Sequence, residues 1–150
     1  MLTEIQQVGV HDAPLVAALV AGLLLEFDPD GPCDRARLEA VARATLSLNS
    51  VTGFAALYGD EAVGLIMLND CAAIYAGGHF GEITELYVTP ALRSRGVAAA
   101  LVARAQAHGR LRGWKRIEVG APEQPQWART LAFYRRAGFT EIGPRLKKTL

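Results

Sequence analysis

The sequence predicts a mixed α/β domain, a mostly antiparallel central sheet with helices on both faces. Three observations predict it. Two β-prone apolar runs, 53–58 and 62–69, flank the tight turn Gly59-Asp60-Glu61, the pattern of an antiparallel hairpin. Ala98, Leu101, Val102 and Ala105 recur at i, i+3, i+4 and i+7, which gives the segment 97–112 one apolar helical face. That helix lies between two strand-like runs, 82–88 and 115–121, so it is the crossover of a strand–helix–strand unit. A hairpin followed by a crossover makes a sheet of mixed sense, covered on both sides.

In chain order, Ile5 and Val8 fall at apolar positions of a first strand, 3–10. Asp12 offers an N-cap and Pro14 suits a first helical turn, so a helix should run to about Phe27. The stretch 26–34 is dense in Asp, Pro and Gly and reads as a loop. Asp34 can cap a second helix with Leu38, Val41, Ala42 and Leu46 on one face. The hairpin follows. The segment 70–81 is open to two readings, a continuation of the hairpin strand through Ile74-Tyr75 or a loop, with Gly77-Gly78 turning. The run 82–88 is then the fourth strand, and Gly113 can close the helix that follows it. After the strand at 115–121, a loop holding Pro122 and Pro125 leads to a helix at 126–137, with Trp127, Leu131 and Tyr134 on one face and Gly138 at its end. A strand at 139–142 and a last short one at 145–149 would complete six to seven strands and four helices.

A chain of 150 residues is read as one domain, 1–150, with a real core. A net charge of +1 offers no bulk attraction for nucleic acid or an anionic membrane. Cys33 and Cys71 form no metal or redox spacing, so no metal is expected. The apolar run Ala13 to Leu25 is shorter than the ~20 residues a span needs, holds Pro14 and Gly22, and has no basic segment before it. It reads as a helix buried on most sides, and the protein as cytoplasmic.

The chemistry concentrates where the fourth strand turns into the third helix, at Arg93-Ser94-Arg95-Gly96-Val97-Ala98. The first turn of a helix has N–H groups without internal partners, and the helix dipole adds about half a positive charge there. Such a turn suits a phosphate or pyrophosphate. Gly96 permits unusual torsions and close approach, Ala98 stays small, and Arg93 and Arg95 supply forked donors. The spacing excludes a Walker loop and a dinucleotide fingerprint, since neither Gly-x-x-x-x-Gly-Lys-Ser/Thr nor Gly-x-Gly-x-x-Gly occurs here.

With this turn following Leu86-Tyr87-Val88-Thr89-Pro90, and with Ala132-Phe133-Tyr134-Arg135-Arg136-Ala137-Gly138-Phe139 later in the chain, the sequence resembles the GNAT superfamily of acetyl-CoA-dependent N-acetyltransferases. The turn fits that family's Arg/Gln-x-x-Gly-x-Gly/Ala loop, the second segment fits its late helix, and the element order covers essentially the whole chain. One departure is Trp127, at a position where many members carry an Asn that contacts the cofactor.

The resemblance implies a GNAT-type sheet with a splay between the fourth and fifth strands, and acetyl-CoA as co-substrate. Backbone groups of Leu86, Tyr87 and Val88 would pair with the pantetheine arm. Backbone N–H groups of Ser94, Arg95, Gly96, Val97 and Ala98, with Arg93 nearby, would hold the pyrophosphate. Tyr134 would give the leaving thiolate its proton. Glu82 or Glu85 would take the proton from an amine or bind it, or a water chain with no single base would carry the proton away. The two differ by an odd number, so a regular strand turns them to opposite faces, and a bulge would change that. Phe27, Asp28, His79 and Trp127 are the candidates for the acceptor side. The acidic group Glu26, Asp28, Asp30 and Asp34 would suit a cationic amine or serve as caps and solvated loop. The implied reaction is acetyl transfer to a primary amine of a small molecule or protein by direct attack in a ternary complex. The alternative is a non-catalytic acyl-CoA-binding sensor on the same fold. A homodimer is compatible with the resemblance.

Overall fold

The computed structural model describes residues 4–150. The chain forms two compact units, one comprising the described residues up to Glu118, the other Val119–Leu150.

The first unit is built on strands β1 (Glu4–Val8), β2 (Val51–Tyr58), β3 (Glu61–Ala73), β4 (Gly78–Val88) and the start of β5 (Ile117–Val119), in the spatial order β1-β2-β3-β4-β5. Pairs β1/β2, β2/β3 and β3/β4 are antiparallel. Lys115 N–H donates to His79 O at 2.9 Å and Gly81 N–H to Arg116 O at 3.0 Å. Residue numbers on the two segments rise together, so the chain entering β5 joins the opening end of β4 in the parallel sense. The hairpin is longer than its apolar core predicts. β3 runs on through Asn69, Asp70, Cys71, Ala72 and Ala73, and a short 3-10 turn, Ile74–Ala76, leads to Gly77 in the left-handed region and into β4 at Gly78.

Helices α1 (Ala13–Phe27) and α2 (Arg35–Leu46) cover one face, and α3 (Val97–Arg112) the other. Alternation along β3 sorts the contacts. Leu65 and Met67 join Val8, Ala55, Val16 and Leu19 in the core under α1. Gly64 faces α3, where a Cβ would meet Val97 Cγ1 and Leu101 Cδ1 at 3.1 Å. Phe54 faces α3 as well, edge-on to His108. Burial of large side chains such as Phe54, Leu65, Ile66, Leu68 and Leu101 removes apolar surface at about 25 cal/mol per Å².

Two helix starts differ in detail. Asp12 stands at the N-cap of α1, but its carboxylate accepts from Gly9 N–H at 2.8 Å rather than from the helix. Asp34 caps α2 as the sequence predicts, accepting from Arg37 N–H at 3.1 Å. α1 buries one face, not most sides: Leu24, Leu25 and Phe27 in its last turn are exposed. On α2, Ala42 and Leu46 pack on the core while Val41 stays exposed.

The second unit holds α4 (Ala128–Arg136), shorter than predicted because Trp127 takes the N-cap position after the loop containing Pro122 and Pro125. Tyr134 is its buried residue, with ring centroids of Phe133 and Phe139 each 5.4 Å away. The strands expected at 139–142 and 145–149 do not form, so among the described residues the sheet has five strands and not six to seven. The physical reason is local. Gly143 sits at φ 128 and Pro144 has no N–H to donate, which breaks a ladder before it can lengthen. Ile142 and Leu146 lie exposed, so no alternating apolar face is buried to repay the ordering.

Candidate active site

The turn between β4 and α3 begins with Thr89, whose N–H donates to Val63 O at 2.8 Å. A 3-10 turn, Pro90–Leu92, and an extended Arg93 lead to Ser94 at φ 60 and Gly96 at φ 82, ψ 2. A left-handed Ser94 is uncommon for a residue with a Cβ and marks a tightly specified turn. α3 starts directly after Gly96, whose carbonyl accepts from Ala100 N–H at 3.0 Å. The N-cap residue, Gly96, has no side chain to cap this end. The first-turn N–H groups of a 16-residue helix are therefore presented at the turn, with the positive end of the dipole behind them. A Cβ built on Gly96 meets nothing within 4 Å, so the space above it is open. Buried Val97 and Leu101, seated over Gly64, fix this helix end close to β3. These features suit an anion such as a pyrophosphate at Ser94 through Ala98.

β4 carries an irregularity that orients its carboxylates. Met67 lies opposite Glu85, and the next β3 residue, Leu68, lies opposite Ile83, so Thr84 is an extra residue in the ladder. Glu82 consequently lies opposite Asn69, two residues along β3 from Met67. Directly opposed residues share a face, and β3 alternates regularly. The bulge thus turns Glu82 and Glu85 to the same face of the sheet, the one under α1, against the opposite-face expectation for a regular strand. Both glutamates are partly buried. The Thr84 hydroxyl donates to the Glu85 carboxylate and lies 3.4 Å from Met67 O.

The other candidates distribute as follows. Leu86, Tyr87 and Val88 pair with Ile66, Leu65 and Gly64 on the β3 side of β4. Tyr87 is pressed against Gly22 of α1, where a Cβ would come within 2.6 Å of its hydroxyl oxygen. Its phenol is pushed above its ordinary pKa by burial and by Glu26, partly offset by Arg93. Phe27 ends α1, and Asp28 caps it through its own N–H, which donates to Leu24 O at 2.9 Å. Both are exposed. His79 is exposed opposite Ala72, on the face away from Glu82 and Glu85. Trp127 and Tyr134 belong to the second unit. Burial pushes the Tyr134 phenol up to about 12, so it stays a proton donor across the neutral range.

Three features went unread in the sequence. Asn69 and Met67 share the face of the two glutamates, and only the β3/β4 register reveals it. Glu26 pairs with Arg93 rather than standing in a free acidic cluster. Gly22, which reads as a mere interruption of an apolar run, is the space into which Tyr87 fits.

A model of the acetyltransferase (GNAT) family matches residues 20–139. No curated protein matches the chain. Among solved structures, a ribosomal-protein-alanine N-acetyltransferase from Brucella melitensis biovar Abortus 2308 superposes with a TM-score of 0.75 at 20% identity, covering 97% of this chain and 98% of that one. An aminoglycoside acetyltransferase from an uncultured soil metagenomic sample, in complex with sisomicin, gives 0.79 at 19% identity, with 98% and 95% covered. A transcriptional regulator from Bacillus halodurans C-125 gives 0.83 at 19% identity over the whole of both chains. At these identities the likeness is one of fold.

Proposed function

The chain belongs to the GNAT acetyltransferase family, and on that premise we propose that it transfers the acetyl group of acetyl-CoA to a primary amine of a small molecule or protein. The observation that carries this reading is the uncapped N-terminus of α3, held open behind Gly96 at the end of β4. Bound acetyl-CoA would supply the acetyl thioester, and the products are the acetylated amine and the free thiol.

The chain's own residues divide the work. Backbone N–H groups from Ser94 through Ala98 hold the pyrophosphate, and the backbone of Leu86, Tyr87 and Val88 holds the pantetheine arm. An alkylammonium cannot attack, and holding the free amine at neutral pH costs about 4 kcal/mol. Glu82 and Glu85, gathered on one face by the Thr84 bulge, are the carboxylates that bind the cationic amine and take its proton. A backbone N–H of β4 donates to the carbonyl oxygen as charge grows there. Tyr134 supplies the proton to the departing sulfur. Positioning of amine and thioester in one complex provides the remaining gain.

Calorimetry with acetyl-CoA and a thiol-release assay across polyamines, aminoglycosides, amino acids and N-terminal peptides test the proposal together. Saturable binding and turnover on at least one amine are expected. Binding without turnover on any amine supports the sensor reading, and no binding at all overturns the donor site. In an active pair, Tyr134→Phe should lower turnover about 100-fold with donor affinity unchanged.

A further inference from the structure

We infer that Glu26 is a positioning residue for the donor turn, acting through Arg93 to hold that turn against the last helical turn of α1. The inference rests on the reading of 93–98 as a pyrophosphate site.

The geometry is a three-sided seat for one guanidinium. Arg93 Nε donates to Val88 O at 2.9 Å, at the end of β4. Its Nη2 donates to the Glu26 carboxylate on α1. Its Cζ lies 5.7 Å from the ring centroid of Tyr87, a cation–π distance. The ring in turn is lodged against Gly22, where a Cβ would come within 2.7 Å of Tyr87 Cζ. Arg93 is the first residue of the turn and is 42% exposed at its side chain, while Glu26 is only 24% exposed. The fork of Arg93 is thus committed to a strand end and a helix end. A lysine would offer one ammonium nitrogen in place of the rigid planar fork whose separate Nε and Nη2 donors span the two sites. Arg93 therefore acts as a strut that fixes where the turn leaves β4, and the N–H groups of Ser94 through Ala98 inherit that position. The same strut ties the turn to Phe27 and Asp28, the residues directly after Glu26.

A strut and a phosphate ligand behave differently, and variants separate them. Glu26→Gln should weaken acetyl-CoA binding about three- to tenfold by calorimetry. It should leave kcat at saturating substrates within about twofold, because no group that meets the reacting atoms is changed. It should leave the KM for acetylpantetheine, which lacks the pyrophosphate, unchanged. Arg93→Gln should resemble it, and the double variant should be no weaker than Arg93→Gln alone, as expected for two ends of one contact. Gly22→Ala, which displaces Tyr87 while leaving both charges in place, should give the same donor-selective loss. Melting temperatures accompany each variant, so that a loss from misfolding, which would also raise the acetylpantetheine KM, is recognised. Additive losses in the double variant, or a loss in Arg93→Gln with none in Glu26→Gln, would make Arg93 a direct phosphate ligand and overturn the inference. If the wild-type chain binds acetyl-CoA and Glu26→Gln binds it equally well, this inference fails alone. If the wild-type chain binds none, the donor-site reading fails first.

Discussion

The two ends of α3 share one backbone device and put it to opposite uses. Gly96 precedes the helix at φ 82, ψ 2, and Gly113 closes it at φ 76, ψ 23. At the closing end the chain itself supplies partners for the last helical turn. Gly113 N–H donates to Arg110 O and Trp114 N–H to Gly109 O, at 3.2 and 2.9 Å. Arg112 and the Trp114 indole N–H both donate to the Asp70 carboxylate on β3. Trp114 fills the space left by Gly81 and Gly109, where added Cβ atoms would approach its ring to 2.1 and 2.5 Å. At the opening end the N-cap residue is Gly96, which has no side chain to cap the helix, and the space above it is clear. A helix closed at one end and open at the other offers its unpaired first-turn N–H groups at the open end, which is where the proposed donor site lies.

The largest expected effect comes from closing the open end. Gly96→Glu places a β-carbon on a left-handed residue, at about 1–2 kcal/mol, and a negative charge at the proposed pyrophosphate site. Acetyl-CoA affinity should fall at least about 100-fold by calorimetry, while the fold persists in circular dichroism. If affinity holds, the open end is not the donor site and the contrast between the two ends loses its functional meaning.

Opening the closed end should do the reverse, costing stability and sparing the donor. Gly81→Ala drives a methyl into the Trp114 ring and should cost about 1–3 kcal/mol in urea unfolding. Gly113→Ala meets no neighbour within 4 Å, so its cost is torsional alone, about 1–2 kcal/mol. Neither variant should move the acetyl-CoA Kd more than twofold. A parallel loss of donor affinity in both would show that the two ends are energetically one site.

The same contrast marks what was legible in the sequence. The open end was readable because a glycine, a basic turn and a helical apolar stripe are local signals, and 93–98 with α3 lie where those signals put them. The crossover and the hairpin were readable for the same reason. The facing of Glu82 and Glu85 was not, since it depends on the one-residue bulge at Thr84, which no residue type announces. The closed end escaped notice because Asp70, Gly81, Gly109 and Trp114 are spread over 45 positions and meet only in three dimensions. The strands expected after Gly138 failed for a related reason: Phe139, Ile142 and Leu146 looked apolar enough locally, but a strand forms only where a neighbour and a buried face receive it, and Leu146 is left 98% exposed.

The smallest effect sits in the polar half of the closed end and shows itself through pH. Burial raises the Asp70 carboxyl, but hydrogen bonds from Arg112 and Trp114 outweigh it and hold the group below its ordinary 3.8. His108, ring to ring with Phe54 and Trp114 at 5.7 and 5.4 Å, is lowered from 6.5, first by burial and then by Arg112, with Asp70 pulling the other way. Both folded values lie below the unfolded ones, so in each case the unfolded chain takes up protons first as pH falls. Stability from His108 should begin to drop below about pH 6.5, and stability from Asp70 below about pH 4. Asp70→Asn keeps an acceptor for the Trp114 N–H and loses the ion pair, a change of up to about 1 kcal/mol at pH 7. It should flatten the unfolding profile below pH 4. It should not soften the loss between pH 6.5 and 5, and should deepen it if anything, because His108 then lacks the charge that favours its protonation. An unchanged acid limb would mean that Asp70 is not what seals this helix end, and that Trp114 packing alone distinguishes it from the open one.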